Sequence, residues 1–307
     1  LMKQIKGLIT APFTAFDETG ALNTKPIPKY LEMLQAQGIG GVYVNGSSGE
    51  GYLMTDEERM ENASAWIDAS PKDFKVIVHV GSPSLRSCQK LSSHAEEKGA
   101  YATSVMGPTF PKIGRLEELV VYCEEVANFS PSLPFYYYHI PAFNGLNFSM
   151  VKLLEMVDGR ISNFAGIKYT SESLYEYNQC RRYKDNKFDI LHGQDETLLP
   201  SLSMGGAQGC IGGTFNYAAS LYTGIVDAFQ QGDTASAIKL QNKSQDMIDI
   251  IAAFRGNIVA GKQVMKLIGL NLGSNRAPFQ NLTDSELSDM KSRLEAINFF
   301  SFANTIN

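Results

Sequence analysis

The sequence has little cysteine, no long apolar run and no dense cluster of basic residues. Its four cysteines are scattered over 307 residues without a Cys-x-x-Cys pair, so the spacing of a zinc site or a disulfide framework is absent. No apolar run approaches the ~18 residues of a membrane span, and the first residues lack the apolar core of a secretion signal. A formal charge of -5 does not suggest the positively charged surface that binds nucleic acid. These absences favour a cytoplasmic protein with no metal, membrane or nucleic-acid partner.

Apolar residues make up 44% of the chain and charged residues 19%, which is the ordinary composition of a globular protein. Eight short apolar runs alternate with segments of helical periodicity. The runs that we predict to be strands are residues 8–13, 41–44, 76–80, 102–106, 135–140, 164–167, 188–192 and 209–211. Because apolar and polar residues do not alternate within them, these runs indicate a parallel sheet that is covered on both faces.

Eight β/α units over roughly 220 residues fit an α/β fold of the (β/α)8 (TIM) barrel type, whose usual size is ~250 residues. An open doubly wound sheet is the structural alternative, but no GxGxxG motif follows the first predicted strand. Beyond Tyr217 the pattern is helical only, and the last helix begins with a capping box at Thr283 and Glu286. We therefore expect a barrel over residues 1–225 and a C-terminal helical domain over residues 226–307.

The sixth predicted strand ends in a single lysine, Lys168. In a barrel of this type the reactive groups lie at the carboxyl ends of the strands. An ammonium group is costly to bury there unless it is paired or loses its proton, and a neutral lysine is a nucleophile that forms Schiff bases with carbonyl compounds. The stretch alone also allows a lysine that merely extends into solvent. The other residues at the same end of the barrel are needed to decide between the two.

Two further groups follow predicted strands at that end. Ser47 and Ser48 lie in a Gly-Ser-Ser-Gly-Glu loop, where glycines allow close backbone approach and the hydroxyl and N–H groups can bind a carboxylate. A plain turn before a capped helix is the alternative. In the fifth strand, alternation puts Tyr136 and Tyr138 on one face and Tyr137 on the other. Tyr138 lies nearest the strand end and is the better candidate for proton transfer.

Other chemistries find less support in the sequence. His139 and His192 also lie at the ends of predicted strands, but no carboxylate spacing completes a metal triad, and we predict both to be structural. The GxSxG motif of a hydrolase is absent. The glycine-rich stretch 205–213 allows a pyridoxal-phosphate site together with Lys168, yet it supplies no cation for the phosphate. We therefore expect neither a metal nor another cofactor.

Five short segments resemble one known family in both order and spacing. They are GSSGE at 46–50, YYYHIPA at 136–142, GIKYTS at 166–171, GQDE at 193–196 and GCIGGT at 209–214. This is the family of class I aldolases that includes dihydrodipicolinate synthase and N-acetylneuraminate lyase, and the resemblance covers nearly the whole chain. It implies that Lys168 forms a Schiff base with a 2-keto acid and that Tyr138 shuttles the proton. It also implies that Ser47 and Ser48 hold the carboxylate, with Ser48 near the proton path.

Within this family the residues around the barrel end resemble the sialic acid lyases. Phe143 stands where dihydrodipicolinate synthases usually have an arginine that grips a second carboxylate. The resemblance implies that the sugar part of the substrate is contacted by Thr170, Gly193, Asp195, Glu196, Gly212 and Gly213. Two positions depart from the family pattern. Gly213 replaces a usual serine, and Phe110 replaces a tyrosine that sometimes reaches into a neighbouring subunit's site.

The resemblance implies a class I aldolase that reversibly cleaves N-acetylneuraminate to N-acetylmannosamine and pyruvate, without a cofactor. It also implies a homotetramer. A lyase of the same family that acts on another 2-keto-3-deoxy sugar acid is the nearest alternative. A catalytically silent barrel that binds a ligand is the alternative from a different class, although the retention of both Lys168 and Tyr138 argues against it.

Overall fold

The computed structural model describes residues 4–205 and 209–306, and its centre is a closed barrel of eight parallel strands. The strands are β1 (Gly7–Thr10), β2 (Gly41–Val44), β3 (Lys75–His79), β4 (Ala102–Met106), β5 (Phe135–His139), β6 (Phe164–Tyr169), β7 (Asp189–His192) and β8 (Gly209–Gly212). They pair in chain order, and β8 closes the barrel by pairing with β1. The predicted (β/α)8 barrel is confirmed. Residues 206–208, part of the glycine-rich stretch considered for a phosphate, lie outside the described residues.

The described residues form twelve α-helices, most of them between successive strands. The helices are α1 (Ile27–Ala36), α2 (Asp56–Ala69), α3 (Leu85–Lys98), α4 (Leu116–Ala127), α5 (Pro141–Asn144), α6 (Met150–Val157), α7 (Leu174–Arg182), α8 (Leu198–Ser203), α9 (Phe215–Gln230), α10 (Thr234–Ala253), α11 (Lys262–Leu267) and α12 (Asp284–Ala296). Thr55, Ser84 and Thr283 cap α2, α3 and α12 through their side chains, as their spacing predicts. The pattern does not predict α5 and α8, because such short segments show no helical periodicity.

The strands bury their side chains in two apolar layers. Tyr136 and Tyr138 belong to the layer inside the barrel, together with Tyr43 and Ile77. Tyr137 belongs to the outer layer between the barrel and the helices, as strand alternation predicts. Burial of one such large apolar side chain contributes about 1.5–3 kcal/mol. The two layers together form the rigid frame that holds the carboxyl ends of the strands in place.

The chain beyond β8 is helical, as expected. The expected division after residue 225 falls inside α9, so a division at the turn after Gln230 would leave that helix whole. The end of the chain returns to α9, where Asn304 accepts a hydrogen bond from the Ala219 N–H (2.8 Å) and donates one to the Phe215 carbonyl (2.9 Å). Within residues 4–205 and 209–306, no helix is long and apolar enough to cross a membrane.

Candidate active site

A cavity of about 700 Å³ opens at the carboxyl ends of the barrel strands. The predicted site residues that line it are Ser48, Tyr138, Lys168, Thr170, Gly193, Asp195, Glu196 and Gly213. Ser47 and Gly212 are not among the described residues that line the cavity, since Ser47 lies beside Ser48 in its loop and Gly212 lies behind Asp195. The structure thus brings most of the predicted residues together in one place.

Lys168 is buried at the base of this cavity, with only 5% of its surface exposed. It lies on β6 directly beside Tyr138 of β5 in the strand register. Its Nζ is 3.9 Å from the centroid of the Tyr138 ring and 4.1 Å from the centroid of the Tyr43 ring. Ring faces attract a cation, by about 2 kcal/mol or more when the pair is desolvated. Two aromatic faces therefore surround the nitrogen, and the structure excludes the alternative of a lysine that extends into solvent.

Tyr43 was not predicted as a site residue. It lies in the uniformly apolar run of β2, so no local signal distinguishes it from a core residue. Its hydroxyl donates to Ser104 Oγ at 3.0 Å, and its ring meets that of Tyr138 edge-on with centroids 5.7 Å apart. Burial raises the pKa of the Tyr43 phenol well above its ordinary value. Tyr43 is therefore a neutral, fixed ring that orients both Lys168 and Tyr138.

The loop that carries Ser47 and Ser48 has a backbone that depends on glycine. A Cβ at Gly51 would meet the Asn45 carbonyl far inside the 3.0 Å below which Cβ atoms are essentially never found. Asn45 itself has a positive φ of 59°. The loop is further held by Thr14, whose Oγ1 donates to the Gly49 carbonyl at 2.6 Å. The Ser48 hydroxyl is thereby presented to the cavity on a fixed turn.

Asp195 forms the buried acidic part of the cavity wall. Thr214 donates two hydrogen bonds to its Oδ2, from the backbone N–H at 2.7 Å and from Oγ1 at 2.6 Å. Burial raises the pKa of Asp195 to about 6, although the Thr214 hydrogen bonds oppose the shift. A Cβ at Gly212 would overlap Oδ1, so only glycine at 212 leaves room for the carboxylate. Oδ2 is engaged by Thr214, which leaves Oδ1 as the oxygen for a ligand hydroxyl.

Thr170 and Gly193 meet at the neighbouring part of the wall. The Thr170 Oγ1 is buried and has no hydrogen-bond partner among the described residues. A Cβ at Gly193 would overlap this oxygen, so the glycine makes space for the hydroxyl. Buried polar atoms in native proteins are rarely left without a partner. Both residues line the cavity, and a rotation of the Thr170 side chain about χ1 would turn this buried hydroxyl toward a ligand.

The charges around the cavity are unequal. Lys168 is the one cation among the described residues that line it, whereas Glu172, Asp195 and Glu196 contribute carboxylates. Phe143 is 56% exposed at the cavity edge and has no positive charge to offer. A ligand with a single carboxylate and several hydroxyl groups suits this wall better than one with two carboxylates.

His139 and His192, the histidines that the sequence placed at strand ends, do not line the cavity. Both are buried, and burial lowers the pKa of each to about 4, so they are neutral near pH 7. His192 shares a hydrogen bond of 3.1 Å with the Thr197 hydroxyl. Among the described residues, no group of three His, Cys, Asp or Glu side chains could hold a metal ion. The prediction that these histidines are structural agrees with their positions.

Two residues of the C-terminal helices also line the cavity, Ile248 of α10 and Asn257 just after it. The sequence did not point to either, because nothing local in a helical segment shows that it will reach the barrel end. Phe110, in contrast, is 79% exposed and does not line the cavity of its own chain. The helical extension is therefore part of the candidate site.

Comparison with known proteins identifies the family of the chain. The model of the dihydrodipicolinate synthetase family matches residues 4–297. The chain is 34% identical to N-acetylneuraminate lyase of Rattus norvegicus over 304 residues, which cover 98% of this chain and 95% of the relative. It is 37% identical to N-acetylneuraminate lyase A of Xenopus laevis over 280 residues, covering 90% and 91% of the two chains.

Solved structures give the same result. The Proteus mirabilis N-acetylneuraminate lyase superposes with a TM-score of 0.93 at 36% identity. The match covers 97% of this chain and 100% of that one. The N-acetylneuraminate lyase (sialic acid aldolase) of Aliivibrio salmonicida also has a TM-score of 0.93, at 37% identity and with 97% and 98% of the chains covered. Matches of this extent in sequence and in fold show that the chain belongs to the dihydrodipicolinate synthetase family.

Proposed function

We propose that the protein is a class I aldolase that reversibly cleaves N-acetylneuraminate to N-acetylmannosamine and pyruvate. The observation that carries this proposal is the buried Lys168 nitrogen between two tyrosine rings, at the base of a cavity with acidic and hydroxyl-bearing walls. The relatives that cover almost the whole chain are named N-acetylneuraminate lyases. The enzyme class is that of a carbon–carbon lyase.

The reaction begins with the open-chain keto form of the substrate. The Ser48 hydroxyl, which lines the cavity, holds the substrate carboxylate together with Ser47 beside it in the loop, and this aims C2 at the Lys168 nitrogen. The amine adds to the C2 carbonyl, and the resulting hydroxyl leaves as water after it takes the phenolic proton of Tyr138. The product is a protonated imine, whose positive charge lies against the faces of Tyr43 and Tyr138.

The protonated imine then acts as the electron sink. Tyr138 takes the proton of the C4 hydroxyl, through Ser48 and the substrate's own carboxylate, as the C3–C4 bond breaks. The electrons of that bond move to the imine nitrogen and form an enamine, while C4 becomes the aldehyde of N-acetylmannosamine. Protonation of the enamine at C3 and hydrolysis of the imine release pyruvate and restore Lys168.

The sugar chain of the substrate binds along the opposite wall. Asp195 and Glu196 accept hydrogen bonds from its hydroxyl groups, and the Thr170 hydroxyl, which has no partner in the described residues, joins them when its side chain rotates toward the cavity. Gly193 and Gly213 line this wall and leave space for the Thr170 and Asn257 side chains beside the ligand. The protein acts without a metal or cofactor in this scheme. We further propose a cytoplasmic homotetramer, as the resemblance to the family implies.

The test is pyruvate release from N-acetylneuraminate by the wild type and by Lys168→Ala, with Lys266→Ala as the control because Lys266 is an exposed lysine of α11. We expect release by the wild type and the control, and none by Lys168→Ala. A panel of 2-keto-3-deoxy sugar acids separates the nearest alternative, which predicts faster cleavage of an unbranched six-carbon acid. Release of no pyruvate from any acid by the wild type would leave the silent ligand-binding barrel.

A further inference from the structure

We propose that Asn257, which the C-terminal helices supply, is a positioning residue for the Ser48 hydroxyl, and that Gly213 is required to make room for it. This inference rests on the proposed function, because it concerns how the carboxylate end of the substrate is held. It explains why the chain has glycine at 213. It also gives the helical extension a role in the chemistry of the barrel.

The side chain of Asn257 is fixed by its surroundings. Asn257 begins a single π-helical turn, Asn257–Gly261, a type of turn that is frequent at functional sites. The hydroxyl of Tyr217 donates to Asn257 Oδ1 at 2.8 Å. A Cβ at Gly261 would overlap the same oxygen, so the carboxamide lies tightly against the turn. With Oδ1 held in this way, the amide nitrogen of Asn257 faces Ser48 and the cavity.

That nitrogen occupies the space where a side chain at position 213 would begin. A Cβ built on Gly213 would overlap Asn257 Nδ2 and would lie 3.4 Å from Ser48 Oγ. The overlapped atom belongs to a carboxamide that is held on its other side, so it cannot simply move away. A side chain at 213 and Asn257 in its present position therefore exclude each other. Gly213 and Asn257 form one structural feature.

The hydrogen bond between Asn257 and Ser48 has a fixed direction. Nδ2 lies 3.4 Å from Ser48 Oγ, and an amide nitrogen can only donate. The Ser48 oxygen must accept, so the proton of its hydroxyl is directed elsewhere and is available to the substrate carboxylate. Asn257 thus acts through Ser48, and its loss should weaken binding of the pyruvate part more than binding of the sugar part.

The first test reverses this direction. Asn257→Asp keeps the size of the side chain but replaces the donor by an acceptor, which turns the Ser48 proton away from the substrate and adds a negative charge beside its carboxylate. In the condensation direction we expect the KM for pyruvate to rise roughly tenfold or more, with the KM for N-acetylmannosamine nearly unchanged. Asn242→Asp, at an exposed position of α10, is the matched control for the charge change.

The second test exploits the exclusion between the two side chains. We expect Gly213→Ser alone to lose roughly tenfold or more in kcat/KM, because the new Cβ displaces Asn257. The double variant Gly213→Ser/Asn257→Ala should recover most of this loss, since the serine hydroxyl enters the space that the asparagine leaves. Recovery by a second substitution also shows that the single variant did not fail merely by misfolding.

Two results overturn the inference. One is an unchanged KM for pyruvate in Asn257→Asp. The other is a double variant whose loss in kcat/KM equals the product of the losses in Gly213→Ser and in Asn257→Ala. Failure of the proposed function is distinguished from failure of this inference by measurements on the wild type alone. A wild type that neither releases pyruvate nor forms a reducible adduct with it at Lys168 removes the basis of both proposals.

Discussion

The Nζ of Lys262 lies 3.0 Å from Glu50 Oε1, and both side chains are completely buried. The same carboxylate accepts hydrogen bonds from Asn275 Nδ2 and from the Arg276 N–H, each at 2.9 Å. Glu50 closes the loop that carries Ser48, whereas its three partners all come from the C-terminal part of the chain. This ion pair therefore fastens the substrate-facing loop to the helical extension.

The ion pair should matter for stability. We expect Lys262→Met to lower the free energy of unfolding by about 3–5 kcal/mol, because it leaves the Glu50 carboxylate buried without its cation. The double variant Glu50→Gln/Lys262→Met removes both charges and should lose much less. Chemical denaturation followed by circular dichroism measures all three proteins, with Lys266→Met on the same helix as an exposed control. A double variant less stable than Lys262→Met would contradict this account.

The barrel and Lys168 could be predicted from the sequence because local residues determine them. The strand β6 is a short apolar run, and its lysine stands out because no other charge interrupts the run. The Gly-Ser-Ser-Gly-Glu loop is also recognisable locally, since its glycines and hydroxyls follow a strand directly. The position of these residues at the ends of strands depends on their immediate neighbours in the chain, and those neighbours predict it.

The remaining parts of the site depend on contacts between distant segments. Asn257 is 209 residues from Ser48 in the chain, and Lys262 is 212 residues from Glu50. Their approach follows from the path of α9 and α10 across the barrel, which no local periodicity encodes. Tyr43 could not be distinguished either, because an inward-facing tyrosine in a buried strand has the same local pattern whether or not a lysine lies over its ring.

Tyr138 should be required for proton transfer but not for the first step of imine formation, the addition of the Lys168 amine to the carbonyl. We expect Tyr138→Phe to lower kcat by about 10²–10⁴, the usual contribution of a general acid or base, while the ring face beside Lys168 remains. Tyr137→Phe is the matched control, because Tyr137 precedes it in the same strand but packs in the outer layer. Steady-state cleavage of N-acetylneuraminate measures both. Equal losses in the two variants would show that the effect of Tyr138→Phe is one of packing.

Asp195 should give the reaction an acidic pH limit. Burial raises the pKa of this carboxyl to about 6, so it is ionised above that pH and protonated below it. Because a ligand hydroxyl binds more strongly to the ionised carboxylate than to the neutral carboxyl, we expect kcat/KM for N-acetylneuraminate to fall about tenfold between about pH 7 and about pH 5. The pKa values of His139 and His192 are near 4, so these histidines do not titrate in this range.

The variant Asp195→Asn isolates this titration. It should be less active than the wild type at pH 7 but should lose the fall in kcat/KM toward pH 5. The rate of pyruvate trapping at Lys168, measured over the same range, gives the pH dependence of imine formation without the sugar. The pH dependence of kcat/KM is divided by that of pyruvate trapping. A fall toward pH 5 that then persists in Asp195→Asn would assign the acidic limit to another group.

Lys168 is the centre of the account, and reduction of its imine tests it most directly. The protein is incubated with pyruvate and sodium borohydride, and its proteolytic peptides are then analysed by mass spectrometry. We predict loss of activity together with one reduced pyruvyl group on the peptide that contains Lys168, and no adduct in Lys168→Ala. An adduct on a different lysine, or a fully active wild type without any adduct, would contradict the account.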